Sequence, residues 1–593
     1  MKDDPKKSLK DIEKELSSLP EGYLSKKLIK GKERYYLQWN EKGKKKSKYV
    51  PEYLLEEVRE ELQRKKRLKQ EAKSLAFKMP RKTIKVSPYE NNVIVGEKLA
   101  SFASLASSFK KRDVFRELKD FLYAEASPKV GVLYGLRRTG KTTLIRQLIL
   151  DMKEEDFKKA AFIQVDASSS LAKLNRDLRL LYEQGYRYLF LDEVTLMGDF
   201  IDGAALFSDI YAPLGMKIIL SGTDSLSFYL AESEQLYDRA VFFHTTFIPY
   251  REFEDVLGIK GIDEYISYGG TMSLSGKRYN EEAPFSSKKR TDEYSDSSIA
   301  RNITHSLAFY QNGTHFRALS DLYENDELVN VINRVVEDVN HRFTLEVLDK
   351  DFVSSDLAIS AKNLRNDRAN PNDVLDRVDK EKFTSHLKSL LEILDKDERN
   401  VPLEEAVVSE IKEYLSALEV IVDVEVASIS KGIKKRYRTL FSQPGLRYAQ
   451  AKAFAKSLLE DEEFSYLDLE ERKAVLERVY NEIKGRMMEE IVLLESKMAL
   501  KGKEVFELQF SSGEFDMVIF SEESSSCEIF EIKHSKERAE EQYRHLIDPK
   551  KLEETEHRYG AIKRRAVIYR GESVTLENGI EYLNVEDYLK SLK

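Results

Sequence analysis

Between residues 112 and 250 the chain alternates amphipathic stretches with short, wholly apolar ones: "DVFRELKDFLYA", then "VGVLYG", "AAFIQVD", "YRYLFLDE" and "MKIILSG". The apolar stretches lack period-two alternation, as expected of strands covered by helices on both faces. The pattern predicts a parallel α/β sheet. Residues 22–50, "GYLSKKLIKGKERYYLQWNEKGKKKSKYV", read as three short strands with turns at "KGKE" and "NEKGK", followed by a charged helix over about 51–76. Residues 284–300, "PFSSKKRTDEYSDSSIA", are polar and serine-rich and predict a mobile loop. From about 301 to 475 the pattern is mainly helical. Near its end "PLEEAVVSEIKEYLSALEVIVDVEVASISKGIKKRYRTLFSQ" runs helix, strand, turn, strand, the order of a winged helix with the hairpin as wing. Such a module either binds DNA or joins domains. The last 115 or so residues return to mixed α/β.

The first predicted sheet strand leads into Gly135, Leu136, Arg137, Arg138, Thr139, Gly140, Lys141, Thr142 and Thr143, and then a helix. This is G-x-x-x-x-G-K-[ST] in strand–loop–helix context. Glycines let the backbone N–H groups converge on a phosphate, and the helix N-terminus adds to that field. Lys141 is expected to reach the β- and γ-phosphates and Thr142 to bind Mg2+. About fifty residues on, "YRYLFLDEV" ends in Asp192 and Glu193, placed to hold Mg2+ and to polarise the attacking water. The strand "MKIILSGTDS" brings Ser221, Gly222 and Thr223, with Thr223 expected to sense the γ-phosphate. Arg239, in "LYDRAVFFHTTFIPYREFEDVLG", is either an arginine finger, acting on a neighbouring subunit or within the chain, or an ordinary surface ion-pair residue.

The ordered set "GLRRTGKTT", "LFLDEV", "ILSGTDS" and "DRAVFFHTTFIPYREF" resembles the AAA+-related ATPases of bacteria and archaea, over about 100–260. In those proteins a sensor strand and a "GR…L.P.s..EF"-like segment follow the acidic strand end. Asp238 stands here where they usually carry glycine. The resemblance implies ATP rather than GTP, consistent with the absence of a guanine-reading N/T-K-x-D motif.

A second constellation lies in "VFELQFSSGEFDMVIFSEESSSCEIFEIKHS". The pattern predicts a hairpin around "SSGE" and a further strand, "CEIFEIKH". On that strand Glu531 and Lys533 are two apart and share a face, while Phe530 and Ile532 enter the core. Asp516 alternates with apolar neighbours on the adjacent strand, and the helix "GRMMEEIVLLESKMALKG" carries Glu489 toward the same sheet. Carboxylates so gathered suit one or two Mg2+ ions, with Asp516, Glu531 and Glu489 as ligands and lysine beside them. By spacing alone the set also fits a surface ion pair on an edge strand.

Asp516, Glu531, Lys533 and Glu489 resemble the PD-(D/E)xK nuclease core, and Gln542, in "EEQYRHL", matches the glutamine that often supports that site. The combination of ATPase, winged helix and nuclease-like end also resembles a predicted-ATPase family with a DUF4143-like C-terminal half. In that family "QPGLRYA" (443–449) has a counterpart, as does Gly485.

These readings give an α/β chain: a small basic β-ribbon plus helix over 1–80, a P-loop ATPase parallel-sheet core over 90–255, a lid and mobile loop over 256–320, a helical/winged-helix region over 321–475, and an α/β restriction-endonuclease-like domain over 476–593. A length of 593 residues agrees with several domains. The single cysteine excludes a disulfide framework and a cysteine-clustered zinc site, and eight scattered histidines argue against a histidine metal centre. No apolar run spans a bilayer and the N-terminus has no signal-peptide core, so a cytoplasmic protein without a membrane partner is expected.

The net charge of −7 is unevenly spread. Residues 1–81 hold 24 Lys and Arg against 14 Asp and Glu. With Tyr35, Tyr36, Trp39 and Tyr49 interleaved, this suits nucleic acid, or else a solvated interaction module. Two functions follow: an ATP-gated enzyme processing nucleic acid, DNA favoured, possible as a homo-oligomer and suited to defence or mobile-element handling; or an ATPase switch or scaffold whose last domain only binds nucleic acid or a partner protein.

Overall fold

The computed structural model describes residues 16, 19–29, 32–41, 44–78, 87–125, 128–224, 227–228, 231, 236–272, 279–309, 316–325, 327–353, 405–429, 435–460, 462–465 and 467–592. The chain divides into two units, Met1–Pro88 and Tyr89–Lys593.

In the first unit β1 (Tyr23–Ile29), β2 (Lys32–Glu41) and β3 (Lys44–Val50) form an antiparallel meander with β2 central. Helix α1 (Leu55–Lys78) follows, with Glu56 and Glu57 in its first turn. A three-stranded ribbon cannot bury a core alone. Here α1 supplies part of the cover, and Arg59 lies over the Tyr35 ring at 5.7 Å.

The second unit holds two sheets. The first contains β4 (Asn92–Ile94), β5 (Val130–Tyr134), β6 (Ala160–Gln164), β7 (Tyr188–Asp192), β8 (Lys217–Gly222) and β9 (Ala240–His244), in the order β4-β6-β7-β8-β5-β9. All its pairings are parallel except that of edge strand β4. Helices α2 (Gly96–Ser104), α3 (Val114–Tyr123) and α4 (Lys141–Leu150) cover one face through Leu99, Leu118 and Leu144. Helix α5 (Leu171–Glu183) covers the other through Leu174, Leu178 and Leu181. Both faces are dry, which explains why these strands read as continuous apolar runs.

After the sheet come α6 (Tyr250–Leu257), α7 (Lys288–Tyr294), α8 (Arg301–Phe309), α9 (Leu328–Val353), α10 (Glu405–Ala417), α11 (Pro444–Leu459) and α12 (Leu469–Ala499). The stretch expected as a mobile loop, 284–300, is instead helical from Lys288 on: α7 continues into a π-helical turn, Ser295–Ala300. Its hydroxyls are used locally. Ser287 caps α7 by accepting from Arg290 N at 3.3 Å, and Thr291 donates back to Ser287 O at 2.8 Å. Phe285, Tyr294, Ile299 and Ala300 are buried among α9, α10 and α11 residues.

The expected wing is also corrected. Strands β10 (Ile421–Ser428) and β11 (Arg436–Phe441) do form an antiparallel pair, but β10 lies parallel to β12 (Glu504–Gln509) and the hairpin becomes one edge of the second sheet. Its tip, 430–434, falls outside the described residues, as do 354–404 in the helical region, and 273–278 and 310–315 in the expected lid. With β13 (Glu514–Ser521), β14 (Ser526–Lys533), β15 (Ala561–Tyr569), β16 (Val574–Thr575) and β17 (Glu581–Asn584), the order is β11-β10-β12-β13-β14-β15-β17-β16. Helices α12, α13 (Pro549–Tyr559) and α14 (Val585–Ser591) pack on it. Tyr250 and Phe253 of α6 share one core with Ile491, Phe530, Ile532 and Tyr588, so the helix that follows the first sheet packs into the core of the second.

Among the described residues no helix is long and apolar enough to cross a membrane.

Candidate nucleotide site and a buried carboxylate cluster

The loop after β5 is held from beneath. Gly135 has φ +143°, and a Cβ there would lie 2.5 Å from Thr245 Oγ1. Both the backbone angle and the space therefore demand glycine. Leu136 is fully buried, and its N–H donates to Thr246 Oγ1 at 3.1 Å. Thr139 donates to Leu136 O at 2.8 Å, and Arg138 sits at φ +63°. Gly140, at φ +91°, leads into α4, whose first three residues are Lys141, Thr142 and Thr143. Lys141 is folded onto the loop, with Nζ donating to Gly135 O at 2.7 Å and Leu136 O at 2.9 Å.

Strand β8 lies between β5 and β7, so its hydroxyls can reach the acidic end of β7. Ser221 Oγ donates to Asp192 Oδ1 and Thr142 Oγ1 donates to Asp192 Oδ2, each at 2.8 Å. Thr223, expected to face a γ-phosphate, donates to Glu193 Oε2 at 3.3 Å and so fixes that carboxylate. Burial raises the Glu193 carboxyl above its ordinary range, opposed by the Lys141 charge. Burial also lowers Lys141, to about 8. If Glu193 acts as base and Lys141 as phosphate ligand, kcat/KM for ATP falls on the acid side above the usual glutamate range and again near pH 8. A profile flat through both limbs contradicts these roles.

The sequence reading missed the support beneath this loop. Arg112 is buried; Nη1 donates to Thr139 O at 2.8 Å and Thr245 O at 2.9 Å, Nη2 to Phe247 O at 2.9 Å, and Nε pairs with Glu252 at 2.5 Å. Glu252 also accepts from Asp113 N at 3.0 Å. It belongs to the "YREF" segment, so that pattern marked the place but not the partner, 140 residues upstream. Arg112→Ala leaves a buried carboxylate and three carbonyls without this donor. It is expected to lower unfolding free energy by about 3–5 kcal/mol in urea denaturation; a loss below about 1 kcal/mol would contradict the arrangement.

Arg239 is corrected as a finger within its own chain. It precedes β9 at the edge where that strand begins, its carbonyl accepts from Val130 N at 3.0 Å, and its guanidinium meets Asp209 at 3.2 Å. The phosphate loop leaves the opposite end of the parallel neighbour β5, roughly 16 Å away at strand rise. Asp238 adopts φ +55°, in the left-handed region that favours glycine.

A relay connects the loop with the helical region. Tyr294 OH donates to Arg137 O at 3.3 Å, and Gln443 Nε2 donates to Tyr294 OH at 3.0 Å and Gly270 O at 3.2 Å. Four residues after Gln443, Arg447 makes a buried ion pair with Glu490 of α12 at 3.1 Å. Asp224, one residue past Thr223, is buried and accepts from Ser227 Oγ at 2.7 Å and from Ser306 of α8.

On the second sheet the three strand residues come together. Lys533 Nζ lies 2.8 Å from Asp516 Oδ2 and 2.7 Å from Glu531 Oε2, and Asp516 also accepts from Ile532 N at 2.7 Å. Phe530 and Ile532 are buried in the core as expected. Glu489 of α12 pairs with Arg486 and feels the charges of Asp516 and Lys533. Burial raises Glu489 to about 7, and raises Glu531 well above its usual value. Burial also opposes the Lys533 charge, but Asp516, Glu531 and Glu489 outweigh it and hold the ammonium well above its normal range.

Gln542 does not join this group. Nε2 donates to Glu537 O at 3.0 Å, while Oε1 accepts from Ala539 N at 3.2 Å and Tyr582 OH at 3.1 Å; it caps its own turn. Gly485 is not forced either, since a Cβ there would meet only His534 at an ordinary 3.5 Å. Unforeseen additions are Glu507, which burial raises to about 9 beside Glu514, and Lys551, which lies 2.7 Å from His545 Nδ1 and within electrostatic reach of Glu531.

Two observations bear on a metal here. Glu531 Oε1 is buried with no hydrogen-bond partner, and the oxygen donors suit a hard cation. Against that, no three Asp, Glu, His or Cys side chains among the described residues form a group that could hold an ion, and at this site Lys533 spans the Asp516–Glu531 pair.

Residues 127–254 match a family described as "AAA domain", and residues 2–60 match a domain of unknown function, DUF6788. No curated protein matches the chain. Solved structures that do match include the Saccharomyces cerevisiae Hsp104:casein complex in its extended conformation, at 16% identity, TM-score 0.23, covering 28% of this chain and 32% of that one. The chain thus spans about a third of that Hsp104 chain. Another is the Aeropyrum pernix ORC1 protein in complex with DNA, at 14% identity, TM-score 0.20, covering 62% and 95%. Alignments at these scores carry no argument about function. The family match rests on the segment that contains the phosphate loop and both acidic residues of β7: residues 127–254 are an AAA-type P-loop ATPase domain.

Proposed function

We propose that the chain is an ATP-hydrolysing enzyme whose ATPase domain governs a metal-dependent nuclease site on the second sheet, acting on nucleic acid, with DNA favoured. The observation carrying the nuclease part is the convergence of Asp516, Glu531 and Lys533 from adjacent strands, with Glu489 beside them.

At the first site the loop backbone from Gly135 to Gly140 and Lys141 bind the triphosphate. Thr142 and Asp192 have the oxygen donors for Mg2+, which when bound neutralises charge on the β- and γ-oxygens. Glu193, fixed by Thr223, takes the proton of the attacking water. Arg239 is left for a neighbouring subunit in an oligomer. At the second site Asp516, Glu531 and Glu489 would hold a divalent ion only once Lys533 moves off the Asp516–Glu531 pair, and the ion would then serve to activate water. Lys533 then stabilises charge on the scissile phosphate, with Lys551 a further cation nearby. The Arg137–Tyr294–Gln443 relay, and Arg447 on Glu490 next to Glu489, support communication between the sites.

A second reading, an ATPase switch whose last domain binds nucleic acid or protein without cutting, is favoured by Lys533 already bridging the carboxylates. Plasmid DNA incubated with Mg2+ or Mn2+, with and without ATP, separates the two. Metal-dependent strand breaks are expected, and intact DNA alongside brisk ATP turnover supports the switch.

A further inference from the structure

We infer that the first unit carries a binding pocket for single-stranded nucleic acid, with a base stacked on Trp39 and phosphates on Lys66 and Lys69. A cavity of about 640 Å3, within the roughly 300–1,000 Å3 of small-ligand sites, lies between β1, β2 and α1. Its apolar lining is Trp39, Leu24 and Leu62, with Tyr23 at the side.

The α1 residues facing it are Leu62, Lys65, Lys66 and Lys69, spaced i, i+3, i+4, i+7. That is the stripe a helix normally fills with apolar residues to pack a sheet. Here three of its four positions are lysines. Lys65 is buried and holds the rim, donating to Leu19 O at 2.8 Å and lying 3.9 Å from Glu21 Oε1. Lys66 and Lys69 are exposed. Gly22, at φ +108°, allows the rim to close, since a Cβ there would lie 1.9 Å from Gln38 O. Apolar packing does not account for a space walled by ammonium groups around an indole. An anion bearing a flat ring does, and a nucleotide strand offers both. Glu21 is the one acidic residue in the lining, and it repels an anion less than the three lysines attract one.

This rests on the nucleic-acid part of the proposed function and not on cleavage. Trp39 is the only tryptophan in 593 residues, so its fluorescence reports this pocket alone. The full chain is titrated in EDTA without nucleotide, so the second-sheet site cannot act, with oligo(dT), oligo(rU) and polyphosphate, following fluorescence and the anisotropy of labelled oligomer together. Quenching by at least one oligomer and not by polyphosphate is expected, the dT and rU arms showing which sugar is preferred. Trp39→Phe removes the signal but keeps binding, while Trp39→Ala weakens binding roughly 5- to 150-fold. Lys66→Ala with Lys69→Ala weakens it and flattens the log K against log salt slope by about 1.4, at about 0.7 per phosphate contact. Equal quenching by polyphosphate, or an unchanged slope in the double variant, overturns the pocket. Binding by anisotropy without quenching also overturns it while leaving the nucleic-acid reading standing; no binding by either measure overturns both.

Discussion

Replacing Lys141 with alanine is expected to reduce ATP turnover at least ~100-fold, the usual cost of removing one group that stabilises transferred charge. The ammonium is buried against the Gly135 and Leu136 carbonyls, and burial lowers it to about 8. A triphosphate offers it a better partner and favours the charged form. The alanine variant keeps the loop's glycine geometry, the Arg112 support and the sheet, so the fold should survive. Initial-rate phosphate release checks the loss, and urea denaturation checks the fold. Turnover within a few-fold of wild type would remove Lys141 from the chemistry.

Lys533→Ala should have the second large effect. Removing the ammonium leaves Asp516 and the buried Glu531 without their counter-ion, a change that costs about 3–5 kcal/mol when a buried pair is broken. The sign of the pH dependence follows from Glu531. Its folded-state value is raised by burial, and losing the lysine raises it further. A carboxyl raised in the folded state stabilises most below its unfolded value and loses that stability as pH rises through the folded value. The variant is therefore expected to be least destabilised in acid and most at neutral pH. Metal-dependent DNA cleavage should fall at least ~100-fold while ATP turnover persists. Equal cleavage by both proteins would assign any strand breaks to another site.

Much of the nucleotide site was legible because its chemistry is local. The spacing from Gly135 to Thr143 is set by how a backbone wraps a phosphate, and Asp192 and Glu193 close a strand too apolar to be anything but buried. What was not legible depends on distant partners. Arg112 looks like one cation in "KKRD" until Glu252 folds beneath it. The β10–β11 hairpin has the alternation of a wing; only β12, some eighty residues on, makes it a sheet edge. Serines in 284–300 read as loop because composition does not reveal that Ser287 and Thr291 satisfy their own helix. Gln542 sat at the right place in sequence, but a nearer backbone carbonyl takes its amide. Asp516, Glu531 and Lys533 were readable from strand alternation, whereas the counterweight of Glu507, Glu514 and Lys551 required the assembled sheet.

The most direct measurement is anomalous scattering from crystals grown with Mn2+ and a non-hydrolysable ATP analogue. The expected result is one peak beside Thr142 and Asp192 and another among Glu489, Asp516 and Glu531, with Lys533 moved off the carboxylates. A peak at the nucleotide alone, with Lys533 still bridging Asp516 and Glu531, would contradict a nuclease centre and leave an ATPase switch.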